Sequence, residues 1–213
     1  MHLSLIDIAA AGTGLVALWM CGSSRLPSLL TALAVQTLLL ATIAGIIGWQ
    51  HHVLSYLILA GVVLAVKAIA IPAYLRWSAW RLAVHRDDGV LHPTLALLFG
   101  CAILIAGFFL APLLAVPAQG KPGAAGMALA LLMIGMLLMI TRRLALSQVI
   151  GFLVLENGIF LYGLTQTHGM PLIVEMGVIF DILVGVMVAG VVIFRLNRSF
   201  EHIDVTELRG LRH

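Results

Sequence analysis

The chain has 213 residues, of which 62% are hydrophobic and only 10% are charged, and its mean hydropathy is +1.13. These values exclude an ordinary soluble globular domain and are typical of a polytopic membrane protein. The net charge of +3 does not indicate a nucleic-acid partner, because the basic residues form no continuous run with interleaved aromatic residues.

Seven apolar stretches are each long enough to cross the hydrocarbon core as a helix, which takes about 20 residues. In chain order they cover approximately residues 3–21, 28–49, 53–75, 93–114, 123–140, 145–165 and 170–194. Runs such as Ala128 to Ile140 are apolar throughout, which excludes the alternating strands of a membrane β-barrel. We therefore predict an all-α polytopic protein with seven transmembrane helices in one membrane domain, residues 1–213.

Turn-forming residues divide these spans into groups, and arginines indicate their orientation. The Pro- and Gly-rich turn from Val116 to Gly123 separates the first four helices (1–115) from the last three (123–195), and residues 199–213 form a polar tail. Arginine occurs only after the odd-numbered spans, at positions 25, 76, 81, 86, 142, 143, 195, 198, 209 and 212. Because Arg and Lys stay preferentially on the cytoplasmic side, we predict an outer N-terminus and a cytoplasmic C-terminus.

The connection that follows the third span is rich in tryptophan and arginine. Trp77, Trp80 and Val84 recur at helical spacing between Arg76 and His92. Amphipathic rings and basic side chains favour the membrane surface, so this segment is predicted to form a short interfacial helix.

Three ionisable residues lie near the middle of separate spans: Lys67 in the third, Glu156 in the sixth and Asp181 in the seventh. A charged side chain at the centre of a membrane helix costs about 2.5–3.5 kcal/mol on insertion scales, so its presence indicates a function or a partner. Two carboxylates and an amine at similar depth favour proton or ion movement through the membrane.

Each of the two acids has a structural alternative. Asp181 shares a helix face with small residues such as Gly177 and Gly185, so it can be a hydrogen-bonded acid in a packing seam instead of a proton carrier. Glu156 can likewise be purely structural, with Asn157 beside it to supply hydrogen bonds. Glu175, nearer the outer surface, is either a second proton site or a group that reaches outer water.

Lys67 and Gln36 complete the set of polar residues within the spans. Pro72 follows Lys67 by five positions and releases the carbonyl of Ala68, which predicts a helix break that can hold water beside the lysine. Lys67 either pairs with a carboxylate or extends to the membrane surface. Gln36 is predicted to form a hydrogen bond between helices.

Redox chemistry is not predicted for this chain. Cys21 and Cys101 are too few and too isolated for an iron–sulfur cluster. We expect no metal site, no cofactor and no catalytic residue, so that any electron transfer would take place in another subunit.

Two sequence resemblances suggest an assembly. Residues Gly151 to Asn157 and Glu175 to Gly185, with a closing motif from Ile203 to Gly210, resemble the three-helix K subunit of complex I and the antiporter C subunits, from about residue 140 onward. Over its whole length the chain resembles the hydrogenase-4 component E family, which comprises membrane subunits of formate-hydrogenlyase-type complexes. In this comparison Asp181 takes the place of the second of two proton-transfer glutamates. The first would fall at Leu153, whereas the acid here is Glu156, one turn further along.

These resemblances imply a non-redox membrane subunit of a group 4 nickel–iron hydrogenase or a complex-I-like assembly, located in the bacterial inner (plasma) membrane. Its partners would be antiporter-like and other membrane subunits, the lipid bilayer, and a cytoplasmic hydrogenase arm reached through the C-terminal tail. The proton path would use Lys67, Glu156, Asp181 and Glu175. Two alternatives stay open: a structural scaffold of such a complex, and a subunit of an Mrp-type cation/proton antiporter that works without a hydrogenase.

Overall fold

The computed structural model describes residues 5–52, 54–81, 86–87, 89–114, 122–166, 184–186 and 190. The secondary structure in these ranges is helical apart from one antiparallel bridge between Arg25 and Arg86. Six of the helices are long and apolar enough to cross a membrane, which confirms the all-α class and the first six predicted spans. Most of the predicted seventh span lies outside the described residues, together with Glu175, Asp181 and the C-terminal tail.

The observed helices begin and end within a few residues of the predicted spans, except at the third. The first two are α1 (Leu5–Gly22) and α2 (Leu26–His51). The third span consists of α3 (Leu54–Val62), a π-helical segment (Val63–Ala70) and α4 (Ile71–Arg81). The last three are α5 (Pro93–Leu114), α6 (Pro122–Thr141) and α7 (Ala145–Gln166).

The third span continues past its predicted end at residue 75, and Trp77 and Trp80 belong to it. The segment predicted as a short interfacial helix is therefore continuous with the third span as far as Arg81. Pro72 removes only one backbone donor, so the helix resumes after it. The guanidinium of Arg81 lies 5.2 Å from the ring centroid of Trp77 and 6.0 Å from that of Trp80, which supports the last turn by cation–π contact.

Helix α7 is the most buried of the six spans, and the third span is the least buried. α7 packs against α6 and α2, and α6 packs in turn against α1 and α5. The contact between α6 and α7 is close because a Cβ atom at Gly135 would collide with the backbone of Leu155, and one at Gly158 would lie 2.8 Å from the carbonyl oxygen of Ala128. Small residues allow this approach between membrane helices.

Three connections meet at one end of the bundle, which we call the arginine end: residues 23–25, 86–92 (without 88) and 142–144. The backbone N–H of Asp87 donates to Ser24 O (2.9 Å), and that of Val90 donates to Thr141 O (2.7 Å). Connections that are far apart in the sequence are thus held together by main-chain hydrogen bonds. The arrangement places Arg25, Arg86, Arg142 and Arg143 at the same end.

Candidate functional site

A buried ion pair joins the third span to α7. Lys67 Nζ lies 2.5 Å from Glu156 Oε1, and only 8% of the lysine side chain and 3% of the glutamate side chain are exposed. Both residues lie near the middle of their spans. Two opposite charges in contact offset much of the desolvation that either would suffer alone in an apolar environment. Lys67 therefore pairs with a carboxylate and does not extend to the surface.

The backbone around Lys67 is widened. Residues Val63–Ala70 form a π-helix, in which the N–H of Ile71 bonds to the carbonyl of Val66, five residues back. Pro72 follows directly, and its ring would clash with the carbonyl of Ala68 in a regular α-helix. A wider turn before the proline relieves this contact. Single π-helical turns inside membrane or soluble helices occur frequently at functional sites.

Two side chains on one face of α7 lie near the ammonium group of Lys67. Phe160 lies one turn after Glu156, so both side chains project from the same side of the helix. The Lys67 Nζ atom lies 5.9 Å from the centroid of the Phe160 ring. The ammonium thus contacts a carboxylate and also lies near an aromatic ring, which adds a weaker electrostatic attraction.

A chain of neutral hydrogen bonds begins beside the ion pair. Asn157 Nδ2 donates to Gln36 Oε1 (2.9 Å) and to Thr37 Oγ1 (3.4 Å), both on α2. Gln36 Nε2 donates in turn to the carbonyl of Thr13 on α1 (3.2 Å). These contacts tie α7 to α2 and α2 to α1 in the middle of the bundle, where hydrogen bonds between membrane helices contribute about 0.6 kcal/mol each.

We call these residues the polar layer: Thr13, Gln36, Thr37, Lys67, Glu156 and Asn157. All six are buried, and they come from α1, α2, the π-helical segment and α7. The polar layer has a charged half, Lys67 and Glu156, and a neutral half, the other four residues. The two halves differ in what they can do. A carboxylate and an amine can exchange a proton, whereas amide and hydroxyl groups donate and accept hydrogen bonds without ionising near neutral pH. The neutral half therefore orients the helix that carries Glu156, and the charged half can hold or release a proton.

The structure brings together four of the residues singled out in the sequence: Lys67, Glu156, Asn157 and Gln36, with Pro72 just beyond the wide turn. Asp181 and Glu175 lie outside the described residues. Thr13, Thr37 and Phe160 were missed. The position of Phe160, four residues after an intramembrane acid, was a usable signal, whereas the two threonines were not distinguishable from others that bond only to their own helix.

A second group of buried charges lies at the arginine end. Arg142 is 7% exposed, and its Nη2 atom donates to the carbonyls of Met20 (2.8 Å) and Ser23 (2.7 Å) at the end of α1. Asp87 is 1% exposed and accepts hydrogen bonds from the backbone N–H groups of Arg143 and Leu144 (both 3.4 Å). In the sequence, Arg142 indicates only the orientation of the spans. Its role as a cap for α1 was not predicted.

Burial lowers the pKa of the Arg142 guanidinium, because removal from water disfavours the charged form. The nearby Asp87 carboxylate opposes this effect, followed by Cys21, but neither cancels it. The positive charge of Arg142 is thus only partly compensated by its surroundings.

Within the described ranges, no group of three or more His, Cys, Asp and Glu side chains could hold a metal ion. Cys21 and Cys101 are both free thiols.

The chain is 31% identical over 211 residues to Uncharacterized protein Rv0085 of Mycobacterium tuberculosis, a match that covers 98% of this chain and 96% of the relative. The chain belongs to the family of this mycobacterial protein. It is also 24% identical over 181 residues to Hydrogenase-4 component E of Escherichia coli (strain K12), and equally so to that of Shigella flexneri, with 84% of each chain covered. It matches no protein-family model and no solved structure. With six apolar helices and these relatives, it is a multi-pass membrane protein.

Proposed function

We propose that this chain is a non-redox membrane subunit of a hydrogenase or complex-I-like assembly, and that its Lys67–Glu156 pair forms part of a path for protons. Electron transfer would occur in other subunits, and protons would move laterally through the membrane domain in response. Asp181 and Glu175 would extend the path beyond Glu156, with Glu175 towards the outer side.

The observation that carries this proposal is the ion pair itself. Lys67 Nζ and Glu156 Oε1 lie 2.5 Å apart, both nearly inaccessible, beside a π-helical turn in the middle of a membrane span. Intramembrane ionisable residues that face the bundle interior and pair with each other mark proton relays in pumps and transporters. The similarity to Hydrogenase-4 component E supports a hydrogenase as the kind of assembly.

In the proposed step, a proton that arrives at Glu156 neutralises the carboxylate and weakens its hold on the Lys67 ammonium. Lys67 then passes its own proton to the next acceptor, and the pair re-forms when Glu156 transfers its proton to the neutral lysine. The bonds from Asn157 to Gln36 and Thr37 keep α7 in place during these transfers. The charge of the pair would therefore change without rearrangement of the helices.

The test compares Glu156→Gln and Lys67→Met in the complex purified with its partner subunits and reconstituted in vesicles. Both changes are expected to reduce proton translocation per electron at least tenfold, because neither variant keeps two groups that can exchange a proton. Acidification of the vesicles and electron transfer are measured together. Thr42→Val on α2 is the matched control, since its hydroxyl bonds only to the carbonyl of Leu39 on the same helix.

Whether the variants still assemble with the partner subunits distinguishes this proposal from the alternatives. If the partner subunits no longer co-purify with a variant that itself stays folded, the pair serves as a structural lock between subunits and the chain is a scaffold. If the complex assembles and translocates protons at the normal ratio, the pair is not on the path. Proton or sodium exchange by the chain without hydrogenase subunits would instead support the Mrp-type antiporter alternative.

The proposal includes an orientation. The arginine end would face the cytoplasm of a bacterial cell and the N-terminus would lie outside, because arginines concentrate on the cytoplasmic side of the plasma membrane. The tail, residues 199–213, would then be available to a cytoplasmic hydrogenase arm. A single cysteine placed at the exposed position 143 should be labelled by an impermeant reagent in inverted vesicles and be protected in intact cells.

A further inference from the structure

A cavity of about 410 Å³ opens at the arginine end. It is enclosed by the end of α1, by residues 86 and 89–93 before and at the start of α5, and by the turn after α6. Its volume lies within the range of about 300–1,000 Å³ that is typical of small-molecule sites. The polar layer contributes no residue to it, so it is separate from the ion pair.

The charged and titratable side chains that line the cavity are Arg86, His92, Arg142 and Cys21. None of the lining side chains in the described ranges is acidic. Asp87 lies next to the cavity but is not part of its wall, and its carboxylate accepts bonds from the backbone N–H groups of Arg143 and Leu144. The described lining residues therefore carry more positive than negative charge.

Arg142 is fixed in the cavity wall. Its Nη2 atom is bound to the carbonyls of Met20 and Ser23, while no partner for its Nη1 and Nε atoms occurs among the described residues. A guanidinium presents five donors in a rigid fork that suits oxyanions. Because burial lowers the pKa of Arg142 despite Asp87, an added negative charge in the cavity would stabilise its charged form.

We propose that this cavity binds a phosphate-type oxyanion, with Arg142 as the preorganised donor on its wall and Arg86 as the exposed cation at its mouth. Two sources share this chemistry: the headgroup of an anionic phospholipid, and inorganic phosphate or a soluble phosphate ester. Basic pockets between transmembrane helices are known to receive lipid headgroups. Ser23 and Ser24, whose hydroxyls can donate hydrogen bonds, also line the cavity.

The test uses thermal unfolding of the full-length chain, followed by tryptophan fluorescence. One arm compares inorganic phosphate with chloride at equal ionic strength, in detergent. The other compares nanodiscs of phosphatidylcholine alone with nanodiscs that also contain cardiolipin, and native mass spectrometry counts the bound lipid. A higher melting temperature with at least one probe is the expected result for the unmodified chain.

The variants avoid Arg142, because its loss would also uncap α1. Arg86→Gln is expected to weaken binding about tenfold, the equivalent of one charge-assisted hydrogen bond. Val90→Glu places a negative charge on an exposed lining residue whose backbone bond to Thr141 is unaffected, and it should abolish binding. Arg143→Gln is the matched control, since it removes the same charge from an exposed neighbour that does not line the cavity.

A response to cardiolipin alone identifies a lipid headgroup as the source, and a response to phosphate alone identifies a soluble anion; both outcomes support the site. The proposal is overturned if neither probe raises the melting temperature of the unmodified chain. It is equally overturned if Arg143→Gln weakens binding as much as Arg86→Gln, because the effect would then reflect general surface charge.

Discussion

The polar layer and the arginine end both bury charge, but they satisfy it with different partners. In the polar layer, the Lys67 ammonium contacts the side-chain carboxylate of Glu156. At the arginine end, Arg142 binds main-chain carbonyls and Asp87 accepts from main-chain N–H groups. A carbonyl oxygen cannot take up a proton near neutral pH and a guanidinium does not give one up, so Arg142 and the carbonyls that it binds cannot exchange a proton. The ammonium and the carboxylate of the polar layer can.

This difference separates two uses of buried charge in one membrane domain. Arg142 and Asp87 hold three connections together and fix the ends of α1 and α7. The ion pair links two spans at mid-membrane, where a backbone partner is scarce because helical backbone groups bond to each other. A charge at that depth needs a side-chain partner, and a side-chain partner that ionises brings the possibility of proton exchange.

The largest effect on stability is expected from breaking the ion pair. Lys67→Met should lower the free energy of unfolding by about 3–5 kcal/mol, because Glu156 is left buried without its countercharge. The double variant Lys67→Met/Glu156→Leu should recover most of this loss, since both charges are then absent. Unfolding in mixed micelles with increasing dodecyl sulfate measures both. A double variant that is less stable than Lys67→Met alone would show that the pair does not act as a unit.

A smaller loss of stability is expected from a substitution at the arginine end. Arg142→Met should lower the free energy of unfolding by about 2–4 kcal/mol, because two charge-assisted bonds to the carbonyls at the end of α1 disappear. Its neighbour Arg143 is exposed, and Arg143→Met should change stability by less than about 0.5 kcal/mol. Proton translocation per electron should be unchanged in any assembled Arg142→Met complex. A selective loss of translocation there would contradict the division between the two regions.

The sequence was sufficient to predict the first six spans and to single out Lys67 and Glu156 within them, because apolar length and misplaced charge are strong local signals. The contact of Lys67 with Glu156 was only one of two alternatives, since helical periodicity does not specify which faces of two distant spans meet. That choice depends on packing, including the close approach of α6 and α7 at Gly135, which directs α7 against α2 and the third span.

The third span shows a different limit of prediction from the sequence. Pro72 indicated a disturbance, but the wide π-helical turn lies before the proline and the helix resumes after it. For the tryptophans beyond it, the sequence predicts an interfacial helix but not its continuity with the span, because amphipathic patterns look alike whether or not a helix continues from a span. The capping of α1 by Arg142 also had no local signal, because donor and acceptor are more than a hundred residues apart.

The smallest effect on stability, but an informative one, is expected from Pro72→Ala. Alanine restores a backbone donor and removes the ring that crowds the Ala68 carbonyl, so the segment can return to regular α-helical geometry. Stability should change by less than about 1 kcal/mol, because a gained backbone bond offsets a weakened contact between Lys67 and Glu156. The change from π to α geometry rotates Lys67 relative to α7.

The interaction energy between Lys67 and Glu156 from a double-mutant cycle should therefore fall in the Pro72→Ala background. Pro112→Ala in α5 is the matched control, since this proline also lies inside a membrane helix but far from the polar layer in sequence and in a different span. An interaction energy that is the same in all three backgrounds would mean that the wide turn is not required to bring the lysine to its carboxylate. A reduction specific to Pro72→Ala would tie the backbone geometry of the third span directly to the only described pair in the membrane interior that can exchange a proton.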